Sequence, residues 1–249
     1  MKGIIVGYKG MIGKRIVESL EDWVGVGRED NIWDLPKDNY DFIIHLGANC
    51  IIRDVIKNPK LAKDNIDITY NVFEFARVNG IKKIIYFSSS RVEHDETNPY
   101  VVSKRFGEEM CKAYKECYGI DYLIIRPECV WSEDDKHERV ITSWINRAKR
   151  NEDILVYGDA NKRLSPVYVT GFVKEYLLEQ ETFLNGCFCK VVSISGRVRY
   201  VKEITELIKR RFKSDSKVLF LDAEVSQPQF CNLPDIILGD FEEDLWRIK

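Results

Sequence analysis

Val6-Gly7-Tyr8-Lys9-Gly10-Met11-Ile12-Gly13 is the stretch from which the rest of the chain is read. The apolar run Ile4 to Val6 ends at Gly7, and Ile16, Val17 and Leu20 follow the third glycine at helical spacing, so the chain opens strand, tight turn, helix. Glycines at 7, 10 and 13 leave that turn without side chains, so that a pyrophosphate can approach the amino end of the helix. Spaced glycines alone also suit a purely structural turn; their position between a first strand and a first helix points to dinucleotide binding.

The same alternation continues outward from this opening. Trp23 to Val26, Phe42 to Leu46, Lys83 to Phe87 and Tyr122 to Ile125 read as strands, and their continuous apolar character is that of strands covered on both faces. Between them, Leu61, Asn65, Ile68, Val72 and Ala76 keep a helical period stopped by Gly80, and a second helix runs from about Tyr100 to Tyr118, stopped by Gly119. Repeated strand and helix imply an α/β fold with a Rossmann-type doubly wound parallel sheet, whose ligands sit at the carboxyl ends of the strands. Past Pro127 the texture changes to the charged stretch Ser132 to Arg139, a helix near Val140 to Arg150 and short strands near Leu155, Val167 and Val191. The expected division is a dinucleotide-binding domain over 1–128, with 165–180 returning to it through a helix at Thr170 to Leu178, and a smaller interleaved substrate lobe from 129–164 and 181–249.

Composition narrows the function classes. The 249 residues are 45% hydrophobic and 31% charged with mean hydropathy -0.29, an ordinary globular balance. No uncharged apolar run approaches the ~18 residues of a membrane helix, and the amino terminus breaks at lysine and glycine too early for a signal peptide, so a cytoplasmic protein without membrane association is expected. A net charge of -2 provides no global attraction for nucleic acid. Seven cysteines without a C-x-x-C pair read as free thiols, and three histidines without ligand spacing argue against a catalytic metal.

Tyr100 and Lys104 lie four residues apart and share a helix face, where the ammonium can lower the phenol from its usual ~10 and let the pair move a proton. Such a pair also occurs by chance as a solvent-exposed contact. Its position changes the balance: the helix follows the strand Lys83 to Phe87, which ends in Ser88-Ser89-Ser90, so hydroxyl groups fall at the functional edge of the sheet.

The order Gly7-x-x-Gly10-x-x-Gly13, His45-Leu46-Gly47-Ala48, Asn65, Ser88-Ser89-Ser90, Tyr100-x-x-x-Lys104 and Arg126-Pro127 resembles the extended short-chain dehydrogenase/reductases, in particular their nucleotide-sugar epimerase, dehydratase and reductase group. The likeness covers nearly the whole chain and continues with Gly158-Asp159 and Arg163, where relatives grip substrate phosphates. It implies that Tyr100 exchanges a proton with a sugar hydroxyl or keto oxygen, that Lys104 holds the nicotinamide ribose, and that Ser89, or alternatively Ser90, polarises the same oxygen. By the same resemblance Lys9, Met11 and Ile12 join the glycines around the cofactor, with Leu46, Gly47, Ala48 and Pro127 along it, Asn65 bracing the site and Asp34-Leu35 framing adenine. Asn65 also reads as a surface helix residue, Asp34 as a turn cap, and His45 better as a packed strand residue than as an acid. A homodimer is typical of the family.

Departures from the family pattern bear on the reaction. Glu93 and His94 stand where a tyrosine and glycine are usual, and Glu93, Asp95 and Glu96 read as a solvated loop. Arg91 and Val92 replace the acidic pair of sugar dehydratases, which disfavours dehydration. Cys129 and His137 are the nearest additional acid and base candidates on the substrate side, beside Ser90 and Arg163. Gly27-Arg28 ends the second strand where an aspartate usually holds the ribose of NAD, and Lys9 adds a second cation, so NADP is favoured over NAD, although Glu29 and Asp30 offer a ribose ligand. The expectation is NAD(P)-dependent oxidoreduction of a nucleotide-activated sugar at carbon 4, as epimerase or 4-ketoreductase. The alternative is a non-catalytic dinucleotide-binding regulatory or scaffold protein of the same fold.

Overall fold

Short apolar runs that do not alternate belong to strands buried on both faces. The computed structural model of the chain, which describes residues 2–19, 21–94, 96–173, 189–223 and 234–248, has this form. In order come β1 (Gly3–Val6), α1 (Met11–Val17), β2 (Trp23–Val26), β3 (Phe42–His45), α2 (Ile52–Lys57), α3 (Lys60–Val78), β4 (Lys83–Phe87), α4 (Pro99–Tyr118) and β5 (Asp121–Pro127). All four positions of β1 and of β3 are buried. The described residues fall into two compact units, bounded by Met1–Pro127 with Tyr176–Ser193 and by Glu128–Glu175 with Ile194–Lys249.

The sheet runs β2-β1-β3-β4-β5, then Lys190–Ser195 and Ile236–Ile237, seven strands in all. Neighbours pair in parallel from β2 through β5. β2 lies on one side of β1 and β3 on the other, so the order reverses at β1, and the crevice beyond the carboxyl ends of β1 and β3 is the ligand position of such sheets. Residues 27–41, between β2 and β3, hold only the 3-10 turn Ile32–Asp34 and no further strand and helix pair.

α3 buries Ala62, Asn65, Thr69, Val72, Phe73 and Ala76 at three- and four-residue spacing, and Val72, Phe73 and Ala76 join Ile4, Ile43, Ile84 and Tyr86 in one core. α4 begins where Asn98 accepts the Val101 N–H at 3.0 Å with Pro99 in the first turn, and it stops at Gly119 in the left-handed region (φ 67°). Gly107 lets α4 sit directly on the Tyr86 ring, since a Cβ there would overlap the phenol. That close approach holds the Tyr100 end of α4 against the carboxyl end of β4.

The second unit has its own core of Trp131, Ile141, Trp144, Ile145, Ile204 and Phe241. Its longer described helices are Val140–Lys149, Val201–Phe212 and Phe241–Arg247, and its described strand pairs are short. Two boundaries differ from the sequence reading. Lys190–Ser195, read within the smaller lobe, is a strand of the main sheet, and its last four residues are buried. Residues 165–173, read as returning to the first domain, group with the second unit, because Val167–Tyr168 pairs with Val130–Trp131. The remainder of the expected helix to Leu178 lies outside the described residues. Among the described residues no helix is long and apolar enough to cross a membrane.

Candidate functional site

The glycine turn is shaped by its own backbone. Gly7 has φ 88° and donates to Val26 O at 2.8 Å, and Gly10 donates to Gly7 O at 3.0 Å. A Cβ on Gly13 would lie 2.5 Å from Gly7 O, and one on Gly7 would lie 2.7 Å from Gly47 N, so the turn closes on itself and on the end of β3. Gly10 is exposed, and a Cβ there would meet only Gly7 O, at 3.2 Å. The result is an open, side-chain-free ledge at the amino end of α1, which fits the diphosphate of a dinucleotide. Leu46 donates to Val6 O at 2.8 Å, and Leu46, Gly47 and Ala48 are half-buried beside the ledge.

The end of β2 carries the charges read from sequence. Arg28 Nη2 donates to Asn49 Oδ1 at 3.0 Å, and the Lys9 ammonium pairs with Glu29 and lies 5.4 Å from the Tyr8 ring centre. Hydrogen bonding from Lys9 holds the exposed Glu29 carboxyl below its ordinary value. Asp30, itself exposed, accepts the Gly27 N–H at 2.7 Å. Asp34 is exposed at the end of its 3-10 turn, which Asn31 caps, while Leu35 packs on the main core.

Tyr100 and Lys104 are both buried, with 6% of each exposed, one turn apart on α4. Lys104 Nζ donates to Phe87 O at 2.8 Å, which fixes the ammonium at the carboxyl end of β4. Burial pushes Lys104 down from 10.5 to about 8, opposed by Cys50 and Glu108. The folded chain therefore loses this proton before the unfolded chain does, and folding stability gains from the site as pH rises from about 8 to about 10.5. Urea midpoints of the protein and of Lys104→Met over that range test this: their difference shifts in favour of the unmutated chain as pH rises, and parallel curves would contradict it.

Ser89 Oγ accepts the Arg91 N–H at 3.2 Å and caps the 3-10 turn Ser90–Glu93, leaving its own O–H to donate. Ser90 is half-buried in the first position of that turn. Asn65 is buried inside the fold: its Oδ1 accepts from Asn49 N at 2.6 Å, and its Nδ2 donates to Asn49 O at 3.1 Å and Ser103 Oγ at 3.3 Å. It ties the β3 loop to α4, and the surface reading of Asn65 does not hold. His45 is 1% exposed, contacts Thr69 Oγ1 at 3.0 Å and is driven to about 3 by burial, so it is neutral near pH 7.

Sequence reasoning missed a polar network beneath the serines. Arg126, read as part of the Arg126-Pro127 motif with no partner assigned, donates from Nε and Nη2 to the two oxygens of Glu108 at 2.9 and 2.6 Å, and from Nη1 to Glu93 at 2.9 Å. Ser88 donates to Glu108 at 2.5 Å, and Ser193 donates to Glu93. The solvated-loop reading is thereby corrected for two residues: Glu93 and Glu96 have side chains 16% and 9% exposed, and Glu96 pairs with Arg91 at 2.7 Å. Asp95 lies outside the described residues. The available signal was Glu108, four residues beyond Lys104 on the same helix face, since a carboxylate there needs a cation once buried.

Cys129, His137 and Arg163 belong to the second unit. Cys129 is half-buried against that unit's core, and burial pushes its thiol up to about 12, which makes it a poor base near neutral pH. His137 is exposed, and its backbone N–H donates to Asp135 at 3.3 Å. Arg163 is exposed on a two-residue strand paired with Arg199–Tyr200.

A glycine ledge at the sheet's reversal, with a buried Tyr-x-x-x-Lys at the end of β4 on the far side of β3, is the arrangement of a dinucleotide-binding α/β protein. The model of the NAD dependent epimerase/dehydratase family matches residues 4–182, and the chain belongs to that family. A Methanocaldococcus jannaschii protein provisionally named a UDP-glucose 4-epimerase is 32% identical over 188 residues, 68% of this chain and 60% of that relative. The chain thus spans less than two thirds of that curated relative's length. Among solved structures, UDP-glucose 4-epimerase of Thermotoga maritima superposes with TM-score 0.78 at 19% identity, covering 98% of this chain and 91% of that one. UDP-N-acetylglucosamine 4-epimerase of Methanobrevibacter ruminantium superposes with TM-score 0.77 at 23% identity, covering 100% and 93%.

Proposed function

We propose that the protein carries out oxidoreduction at carbon 4 of a nucleotide-activated sugar, with Tyr100 as the proton donor and acceptor. The observation that carries this reading is the burial of Tyr100 and Lys104 on one face of α4, with the Lys104 ammonium anchored on Phe87 O beside the serine turn. A nicotinamide dinucleotide, when bound, supplies the redox chemistry, and the protein aligns it. The residues that would hold it are Gly7, Gly10 and Gly13 at the diphosphate, Leu46 to Ala48 along its length and Lys104 at the ribose. Tyr100 gives a proton to the sugar oxygen as carbonyl becomes alcohol and takes it back in the reverse direction. The positive charge of Lys104 favours the phenolate in that exchange, and the O–H of Ser89, or of Ser90, holds the oxygen in place. Cys129, His137 and Arg163 are proposed for the substrate side.

Purified protein incubated with a panel of nucleotide sugars and 4-keto sugars, with reduced-nicotinamide absorbance and product stereochemistry followed together, tests the reading. Interconversion of two sugars without net absorbance change identifies an epimerase, and stoichiometric loss of reduced cofactor a ketoreductase. No turnover of any nucleotide sugar would favour the binding-protein alternative.

One observation favours ketoreduction with NADP as the second reading. The two side chains beside the end of β2 that reach outward as cations are Lys9 and Arg28, while Asp30, the acid nearest Gly27, is committed to the Gly27 N–H. A 2′-phosphate would draw Lys9 from an exposed ion pair of little value. Arg28→Ala is expected to weaken NADPH binding by about 10- to 100-fold, the worth of one charge-assisted hydrogen bond, with NADH binding unchanged. Equal losses for the two cofactors in a fluorescence titration would contradict it.

A further inference from the structure

We infer that the Glu93–Arg126 pair is a positioning device for the serine turn; the inference rests on the proposed role of Ser89 or Ser90. One guanidinium serves both ends of the segment 88–93, through Glu108 at the start and directly at Glu93. At its start, Ser88 donates to Glu108 Oε1 at 2.5 Å, and the same carboxylate is held by Arg126 Nε and Nη2 at 2.9 and 2.6 Å. At its finish, Glu93 accepts from Arg126 Nη1 at 2.9 Å and from the Ser193 hydroxyl. Arg126 and Ser193 sit on β5 and on the neighbouring strand Lys190–Ser195, so the far end of the turn is referenced to the sheet.

The turn between these grips carries Ser89 and Ser90, and Val92 within it packs against Val55, Ala62, Tyr100 and Val101. Arg91 pairs with Glu96 at 2.7 Å, and Arg105 donates to the carbonyls of Val92 and His94 at 3.2 and 3.3 Å. Those bonds tie the outer side of the turn to the segment ahead of α4 and to α4 itself. Arg126 joins the turn and α4 on the side of the sheet, as Arg105 joins them on the outer side: through Glu108 it holds the helix that presents Tyr100, and through Glu93 it holds the turn that presents the hydroxyls. Glu93 and its partner Arg126 are largely buried, with side chains 16% and 22% exposed, so water competes weakly for the pair. Loss of the Glu93 carboxylate removes the tether from the carboxyl end of the turn to the sheet and leaves that end to the two Arg105 hydrogen bonds, while Ser88, Glu108 and Arg126 remain together. The serine hydroxyls then sample positions away from the oxygen that Tyr100 serves.

Glu93→Ala and Glu93→Gln, compared with Tyr100→Phe, form the test. Glu93→Ala is expected to lower kcat by about 10- to 100-fold, the loss that follows roughly 1 Å of misplacement, with the KM for the nucleotide sugar unchanged. Backbone hydrogen exchange in the same variant should accelerate within 88–94 and stay as in the parent elsewhere. Glu93→Gln keeps an acceptor for Arg126 and Ser193 and should recover part of kcat. Parent-like exchange in 88–94 in Glu93→Ala overturns the inference whether or not a substrate has been found. So does a kcat loss accompanied by faster exchange throughout the chain, which is the signature of a purely structural role. If Tyr100→Phe turns over like the parent, the reading of the centre fails; if Tyr100→Phe is inactive and Glu93→Ala keeps full kcat, only the positioning role fails.

Discussion

Tyr100→Phe is expected to lower turnover of the nucleotide sugar by about 10²- to 10⁴-fold, the usual worth of a positioned proton donor, while the fold and cofactor affinity persist. The substitution removes one hydroxyl from a ring that is 94% buried at the start of α4 and packs with Val55, Ala62 and Val101. The ring stays, so the packing that holds α4 to α2 and α3 stays with it. Circular dichroism and dinucleotide titration should therefore match the parent while kcat collapses. Parent-like kcat would remove Tyr100 from the chemistry.

Arg126→Ala should have the largest effect on stability. Glu108 is 4% exposed and takes two of its three close hydrogen bonds from Arg126, and Glu93 takes a third contact from the same guanidinium. The paired carboxylates hold the Arg126 guanidinium well above its ordinary range, so it stays charged at every accessible pH. Truncation leaves two carboxylates without their cation, which costs roughly 3–5 kcal/mol for a buried pair, a large part of an ordinary ~5–15 kcal/mol stability. The urea midpoint should fall steeply. Arg126→Lys should fall between the two, because an ammonium cannot reproduce the planar fork. An unchanged midpoint in Arg126→Ala would contradict the account of this network.

Parts of the site that depend on local spacing were legible in the sequence. The glycine turn is such a part, because its strand, its tight backbone and its helix are contiguous and each leaves a pattern in a few residues. Tyr100 and Lys104 are another, since four residues on a helix always share a face. Glu93 was not legible: three acids within four residues read as a solvated loop, and the partners that bury Glu93 are 33 and 100 residues away, at Arg126 and Ser193. Lys190–Ser195 was misassigned for the same reason, since sheet membership depends on a partner, β5, that is distant in sequence. Asn65 falls between the cases. Its helical spacing put it on the buried face, but only Asn49 and Ser103 explain why an amide is stable there.

A nucleotide sugar carrying deuterium at carbon 4 tests the central claim most directly, with the label followed by nuclear magnetic resonance during turnover. Direct transfer is expected: the label is found at carbon 4 of the epimeric sugar or on carbon 4 of the nicotinamide, none reaches water, and Tyr100→Phe slows its movement in step with the loss of turnover. Label released into water, or a product formed with its label at another carbon, would contradict oxidoreduction at carbon 4.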